Sequence, residues 1–319
     1  MIECVLVTIA SVHSLRIASI NTTTTFRRLI EAPAILMMPV AHDALTARII
    51  EHAGFKAVAC GGYAATANLL GAPDTSLLSM SEMADFYARI VDATSLPVFV
   101  DGDTGFGNST NTARAIRIFE RVGVAGVFIE DQVFPKRCGH MEGKAVIPPA
   151  EMLEKLKAAL DARVDADMII MARTDALAVN GLDDAIERAQ LYREAGADLL
   201  FVEAPTDIGQ MRRICSEIEG PCLANNLEAG KTPCLPAQEL EDIGYAAVAY
   251  PVAATYTITK ALTELMEILA RDGSTAACRD RMVSFEEFNA LVGLPELRRR
   301  EASYQDFARA MIEKSKHRN

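Results

Sequence analysis

The sequence predicts an α/β chain folded as a closed (β/α)8 barrel with a helical tail, and three observations carry that prediction. Short apolar runs alternate strictly with longer amphipathic ones between residues 34 and 271. The apolar runs are rich in Val, Ile, Leu and Ala on both faces, as strands buried in a parallel sheet are. Ala53-Gly54, Val122-Gly123, Ala195-Gly196 and Ile243-Gly244 each close an amphipathic run just ahead of an apolar one. Glycine there takes the left-handed conformation that ends a helix. Strand–helix repeats in this order fit a barrel. A doubly wound open sheet would show fewer strands and a glycine-rich phosphate loop after the first, and no such loop follows Val40.

Taken in order, the first strand covers Ala34–Val40 and leads into a helix over Ala44–Ala53. The second strand is Lys56–Cys60, with its helix at Ser81–Thr94. Pro97–Asp101 and Thr110–Val122 make the third pair, Gly126–Glu130 and Pro149–Arg163 the fourth, and Met168–Arg173 and Leu182–Ala195 the fifth. Asp198–Glu203 pairs with Asp207–Glu219, and Pro221–Asn225 with Pro236–Ile243. Ala246–Tyr250 and a helix from Ala253 to Arg271 close the set. Residues 274–319 read as helical and charged, with a capping box at Ser284-Phe285-Glu286-Glu287 and a solvated helical face at Leu297–Glu301. Residues 1–25 hold one acid, one arginine and many Ser and Thr. They lack the basic start of a secretory signal and the arginines of a transit peptide, and read as a flexible extension. The expected division is an extension over 1–25, a barrel over 26–273 and a helical tail over 274–319.

Composition narrows the function. The chain has 319 residues, 50% hydrophobic and 24% charged, with a formal net charge of −11. That balance excludes wholesale disorder and disfavours a phosphate backbone as partner. The seven cysteines are odd in number and form no C-x-x-C pair, so neither a disulfide framework nor a zinc ribbon is expected. Reduced thiols point to a cytoplasmic protein. No apolar run reaches the roughly 18 residues of a membrane span. Neither nucleic acid nor a membrane is expected as a partner, and the acidity does not forbid a small anionic substrate, because a site can be locally positive.

Most predicted strands end in a polar or glycine-rich tip: Gly61-Gly62, Asp101 with Asp103, Glu130-Asp131, Arg173, Glu203 and Asn225. In a barrel these tips converge on the face where active sites lie. Asp101, Asp103 and Glu130 are hard oxygen ligands without clustered histidines, which suits Mg²⁺ or Mn²⁺ better than Zn²⁺. The competing reading is a salt-bridge cluster with Arg173 or Lys136. Lys136-Arg137-Cys138-Gly139-His140 follows in a long loop, where three potential cations surround a thiol and favour thiolate. Cys215, Cys222 and Cys278 read as packing residues, Cys60 as barrel interior, and His42 and His52 as structural.

These motifs resemble the isocitrate lyase / phosphoenolpyruvate mutase superfamily. The matching segments are Gly71-Ala-Pro-Asp74, Val100-Asp-Gly-Asp103-Thr-Gly-Phe-Gly107, Ile129-Glu-Asp-Gln132, Lys136-Arg-Cys-Gly-His140, Met171-Ala-Arg-Thr-Asp175 and Ala224-Asn225. The resemblance implies a Mg²⁺-dependent TIM barrel, assembled as a homotetramer in which the last barrel helix is exchanged between subunits. It implies that Asp101 and Asp103 hold the metal, with Glu130 close by through water. Gly61, Gly62 and Tyr63 would line a carboxylate pocket, with Gly139 and His140 also against the substrate. Cys138 would be the catalytic cysteine. Arg173, Glu203 and Asn225 would hold the substrate and a developing enolate.

Met141–Lys144 and Glu228–Pro233 look closest to the dimethylmalate lyase, petal death and carboxyphosphonoenolpyruvate mutase branches. Methylisocitrate lyases carry two arginines where this chain has Tyr256 and Phe285. Without them the third carboxylate of a tricarboxylate would be left unpaired, at a cost of about 2–5 kcal/mol. Ala59 stands where the family often has tyrosine or histidine. The resemblance thus implies a carbon–carbon lyase that cleaves a substituted malate, such as 2,3-dimethylmalate, to a 2-oxo acid (pyruvate) and a carboxylic acid by retro-aldol chemistry. The alternatives are a phosphoryl rearrangement like that of carboxyphosphonoenolpyruvate mutase, or methylisocitrate lyase or oxaloacetate hydrolase activity.

Overall fold

A computed structural model describes residues 21–139 and 141–317. Eight parallel strands form the barrel wall: β1 (Leu36–Pro39), β2 (Val58–Cys60), β3 (Val98–Asp101), β4 (Gly126–Glu130), β5 (Ile169–Thr174), β6 (Leu199–Val202), β7 (Leu223–Asn225) and β8 (Ala247–Tyr250). Hydrogen bonding orders them as β1-β8-β7 and β2-β3-β4-β5-β6. Parallel bridges at Val40–Ala59 and Leu200–Cys222 join the two sheets into a closed ring. All eight expected strands are present, with ends within a few residues of the predicted ones.

The outer helices are α2 (Ala44–His52), α4 (Met80–Val91), α5 (Ser109–Val122), α6 (Pro149–Ala162), α8 (Leu182–Glu194), α9 (Ile208–Glu217) and α10 (Ala237–Ile243). Three further helices were not anticipated: α1 (Thr22–Ile30), α3 (Gly62–Leu70) and the single turn α7 (Leu177–Asn180). α1 begins inside the segment read as extension; residues 1–20 of that segment lie outside the described residues. Its hydroxyls and arginine hold the lower rim of the barrel. Thr23 donates to Asp165 at 2.6 Å, and Arg27 pairs with Asp198 at 2.9 Å.

The strand pleat separates two cores. Inside the barrel lie Met38, Ala59, Phe99, Met171, Phe201 and Leu223, with Phe26 and Ile30 of α1 packed beneath them. Phe26 stacks on Phe99 with ring centroids 5.5 Å apart. Between strands and helices lie Val58, Val100, Val127, Ile170 and Leu200, against Tyr87, Phe119, Leu156 and Tyr192. Cys60 packs in this outer layer and not in the barrel interior as expected, because alternation along β2 turns Ala57 and Ala59 inward instead. Cys222 and Cys278 are buried and Cys215 is half-buried, as packing residues should be. His42 is buried against Thr46, and His52 bonds the carbonyl of Arg48.

The tail comprises α11 (Ala253–Asp272), a 3-10 segment (Ala276–Arg281), α12 (Phe285–Leu291) and α13 (Leu294–Lys316). The Ser284 capping box is formed in both directions with Glu287. None of α11, α12 and α13 buries a side chain, and α11 exposes Ile258, Leu262, Met266 and Leu269. No described helix is long and apolar enough to cross a membrane.

Candidate active site

The C-terminal strand tips gather around one cavity. Cys60, Gly61, Gly62 and Tyr63 border it from β2, Asp101 from β3, Arg173 from β5, Glu203 beyond β6 and Asn225 from β7. Cys138 and Gly139 reach in from the loop after β4, while Val40, Leu227, Ala249 and Val252 form an apolar arc on the β7–β8–β1 side. Asp103 and Glu130 are buried but do not border the cavity.

At β2 and β3 the backbone wraps a carboxylate. Asp101 accepts from the Gly62 amide at 2.8 Å and from the Asp103 amide at 2.7 Å. A Cβ on Gly62 would sit 3.0 Å from Asp101 Oδ2, so the close approach needs glycine. Asp103 has φ of +50°, a left-handed conformation that aspartate tolerates better than most residues. Burial pushes its carboxyl up to about 6. Lys136 Nζ lies 2.8 Å from Asp74 and 4.0 Å from Asp101. Burial works against its charge, but Asp101, Glu130, Asp103 and Asp74 together hold its pKa well above the usual lysine value.

At β4 and β5 the register puts Glu130 directly beside Arg173. Arg173 Nε stands 3.3 Å from Glu130 Oε2 and 2.9 Å from Asp175 Oδ2. Its terminal nitrogen lies 3.2 Å from Asp175 Oδ1 and 3.5 Å from Glu203. The guanidinium also covers the Phe201 ring, 5.2 Å from its centroid. Glu130 is 0% exposed, yet neither carboxylate oxygen accepts a hydrogen bond. Burial drives its carboxyl well above the usual range. Asp175 is also fully buried, but Arg173 and Lys144 overcome the burial and hold it down at about 2.

Among the described residues, no three His, Cys, Asp or Glu side chains already converge as a cation cage. The donor set nonetheless fits a hard cation. Asp101, Asp103 and Glu130 offer only oxygen, and Glu130 keeps two buried oxygens without donors. A buried carboxylate in that state is costly unless a cation or proton satisfies it.

Gly139 is the tightest point. A Cβ there would lie 2.5 Å from Arg173 and 2.5 Å from Glu203. Asn225 donates to Glu203 at 3.4 Å. Tyr63 and Tyr256 meet hydroxyl to hydroxyl at 3.3 Å, and that contact pushes the Tyr63 phenol up to about 12. Tyr256 itself does not border the cavity, and Phe285 is 83% exposed and outside the site. His140 lies outside the described residues. The ion-pair partners Asp74, Lys144 and Asp175 carry no sequence signal for this role beyond the place of Asp74 and Asp175 in the Gly71–Asp74 and Met171–Asp175 motifs.

Comparison with known proteins comes from three directions. The sequence profile of the phosphoenolpyruvate phosphomutase family matches residues 26–270. The chain is 46% identical over 284 residues to 2,3-dimethylmalate lyase of Eubacterium barkeri, covering 89% of this chain and 98% of that one. It is 41% identical over 300 residues to the petal death protein of Dianthus caryophyllus, covering 94% of each. Among solved structures, a crystal form of 2,3-dimethylmalate lyase superposes with a TM-score of 0.84 at 32% identity, over 89% of this chain and 95% of that one. Phosphonopyruvate hydrolase in complex with oxalate and Mg²⁺ superposes with a TM-score of 0.81 at 27% identity, over 89% and 99%.

Proposed function

The chain belongs to the phosphoenolpyruvate phosphomutase family, within the isocitrate lyase / phosphoenolpyruvate mutase superfamily of enzymes, and from that premise we propose that it is a Mg²⁺-dependent lyase of substituted malates. The substrate is a 2-hydroxy dicarboxylate bearing small alkyl groups, 2,3-dimethylmalate being the model compound. The products are a 2-oxo acid, pyruvate where C2 carries a methyl, and a carboxylic acid. One observation carries this reading. Cys138-Gly139 packs directly against Arg173 in a single cavity, so a proton donor and an anion binder serve the same carbon.

Asp101, Asp103 and Glu130 would hold the metal, with Mn²⁺ as a possible substitute. When bound, Mg²⁺ supplies Lewis acidity that eases loss of the 2-hydroxyl proton and neutralises charge. Transfer of that proton to a base lets the C2–C3 bond break in retro-aldol fashion: the C2 oxygen becomes the carbonyl of the 2-oxo acid, and the bond's electron pair becomes the enolate of the leaving acid. Arg173, aimed by Asp175, stabilises the enolate's charge, with Asn225 and Glu203 completing the wall. Cys138 delivers the proton that turns the enolate carbon into C–H. Lys136 is paired with Asp74 and Arg137 donates to the Glu142 carbonyl, so the loop cations expected to favour thiolate are engaged elsewhere, and a thiol with an ordinary pKa of about 8.5 carries that proton near neutral pH. Gly61, Gly62 and Tyr63 bind a substrate carboxylate. His140, two positions after Cys138 in the same motif, is assigned to substrate binding by the family resemblance.

The alkyl groups face the arc of Val40, Leu227, Ala249 and Val252. A tricarboxylate is disfavoured because Lys136 and Arg173, the cations that border the cavity among the described residues, already have acidic partners. Tyr256 and Phe285 add none. The unpacked apolar face of α11 supports a homotetramer in which this helix is exchanged between subunits, and the reduced thiols of Cys60, Cys222 and Cys278 support a cytoplasmic location. The test is a panel of malates, oxaloacetate and isocitrates with purified protein and Mg²⁺, reading pyruvate or glyoxylate. A dimethyl- or methylmalate should give the highest kcat/KM. No pyruvate from any malate, or a preference for 2-methylisocitrate, would sink the reading.

A further inference from the structure

The loop between β4 and α6 carries Cys138 and is braced largely within itself. At its base Gln132 bridges Val146, and the Val133 amide donates to the Ala145 carbonyl at 2.8 Å. The Gln132 side chain clasps the Arg137 backbone at 2.9 and 3.0 Å. Two lysines reach out of the loop, one on each side of the thiol. Lys136 goes to Asp74, as described above. Lys144 goes the other way, turned by Gly143 at φ +75°. It donates to Asp175 Oδ1 at 2.8 Å and to the carbonyl of Gly139. Its side chain is 2% exposed and that of Asp175 is 0% exposed. Asp175 is also the carboxylate that grips Arg173 at two points.

We propose that Lys144 is a positioning residue that latches Cys138-Gly139 onto the Arg173–Asp175 pair. One carboxylate then fixes both the guanidinium and, through Lys144, the backbone beside the thiol. An ammonium suits this task because its three donors can serve a carboxylate and a carbonyl together. A neutral side chain of the same length cannot. The tolerance is narrow, since Gly139 has no room even for a methyl group against Arg173 and Glu203. The catalytic consequence rests on the lyase reading, but the latch itself is a statement about geometry and can be measured without substrate.

The experiment uses the whole 319-residue chain and its Lys144→Met variant, which keeps the unbranched stem up to the ammonium and removes the donors. Each is treated with iodoacetamide, and labelling of individual cysteines is followed by mass spectrometry. Cys60 and Cys222 are buried and report general loosening. Cys138 should label at least tenfold faster in the variant, with Cys60 and Cys222 unchanged. A tenfold change corresponds to about 1.4 kcal/mol in the loop's equilibrium. With a substrate in hand, kcat should fall about tenfold while KM moves less than threefold. An unchanged Cys138 rate overturns the latch. So does a rise shared by all three cysteines, which would make Lys144 a general stability residue. If the latch behaves as expected but wild-type protein releases pyruvate from no malate, the latch stands and the lyase reading falls.

Discussion

Gly139→Ala isolates the contact on which the lyase reading depends. Gly139 does not lie in the left-handed region, so alanine adds no backbone strain and the effect is steric. The new Cβ would meet Arg173 and Glu203 atoms at 2.5 Å, where ordinary contact needs about 3.5–4.0 Å. Something must move by about 1 Å. Arg173 is held by Asp175 through two hydrogen bonds, and Glu203 is fully buried. The loop is therefore what yields, and Cys138 moves with it. A misplacement of about 1 Å costs roughly 10²-fold in rate, equivalent to about 2.7 kcal/mol of activation free energy. Stability should change little, because the loop's internal braces at Gln132 and Val146 are untouched. The assay is kcat/KM on the preferred malate, with melting temperature and Mg²⁺ affinity as controls. A Gly139→Ala enzyme within about threefold of wild type would refute the packing argument. Gly61→Ala is the contrast, since nothing lies within 4 Å of its added methyl. Its cost should appear in KM alone, as the methyl takes space meant for substrate.

Three more outcomes follow from the same geometry. Cys138→Ser should keep fold and Mg²⁺ affinity but lose about 10²-fold or more in turnover, the scale of a positioned proton donor; normal turnover would remove the thiol from the mechanism. EDTA should abolish activity and Mg²⁺ restore it, while Asp103→Ala should bind Mg²⁺ weakly by calorimetry; full activity in chelator would exclude the metal site. Asp175 has its carboxyl held low by Arg173 and Lys144, so its contribution to stability is present above about pH 3.9, the unfolded value, and fades as pH falls towards 2. Asp175→Asn should flatten the acid limb of urea unfolding midpoints between about pH 4 and pH 2; an unchanged limb would show that the pair adds nothing to folding.

The strands were legible because a buried parallel strand carries its signature in composition alone. The helices that escaped lacked a helical one. α1 opens with four threonines, poor helix formers, and is held by Asp165 and Asp198 far along the chain. α3 begins on a glycine at a strand tip, with small residues on all sides and little amphipathic contrast. The site divides the same way. Asp101, Arg173 and Asn225 could be read from their places at strand ends. Lys144 and Asp175 could not, since their meeting across 31 positions leaves no local pattern.

Glu130 and Asp131 show why adjacency in sequence says so little about role. They are neighbouring acids, both fully buried. Asp131 accepts from Thr174 at 2.7 Å, from the Asp175 amide at 2.9 Å, from Tyr192 at 2.9 Å and from Arg188 at 3.3 Å. Its charge is spent on fastening β5 to the helix layer. Asp131→Ala should therefore destabilise the fold by about 3–5 kcal/mol, the scale for removing one partner of a buried pair, as read by urea unfolding. Glu130 accepts no hydrogen bond at either oxygen and has Arg173 beside it at 3.3 Å. Glu130→Gln should cost the fold far less, because it removes a desolvated charge, breaks no hydrogen bond and leaves Arg173 paired with Asp175 and Glu203, and should instead weaken Mg²⁺ binding. A loss of stability equal to that of Asp131→Ala would make Glu130 a structural acid too. The two carboxylates would then differ only in geometry, and the case for Glu130 as a metal-side residue would fail.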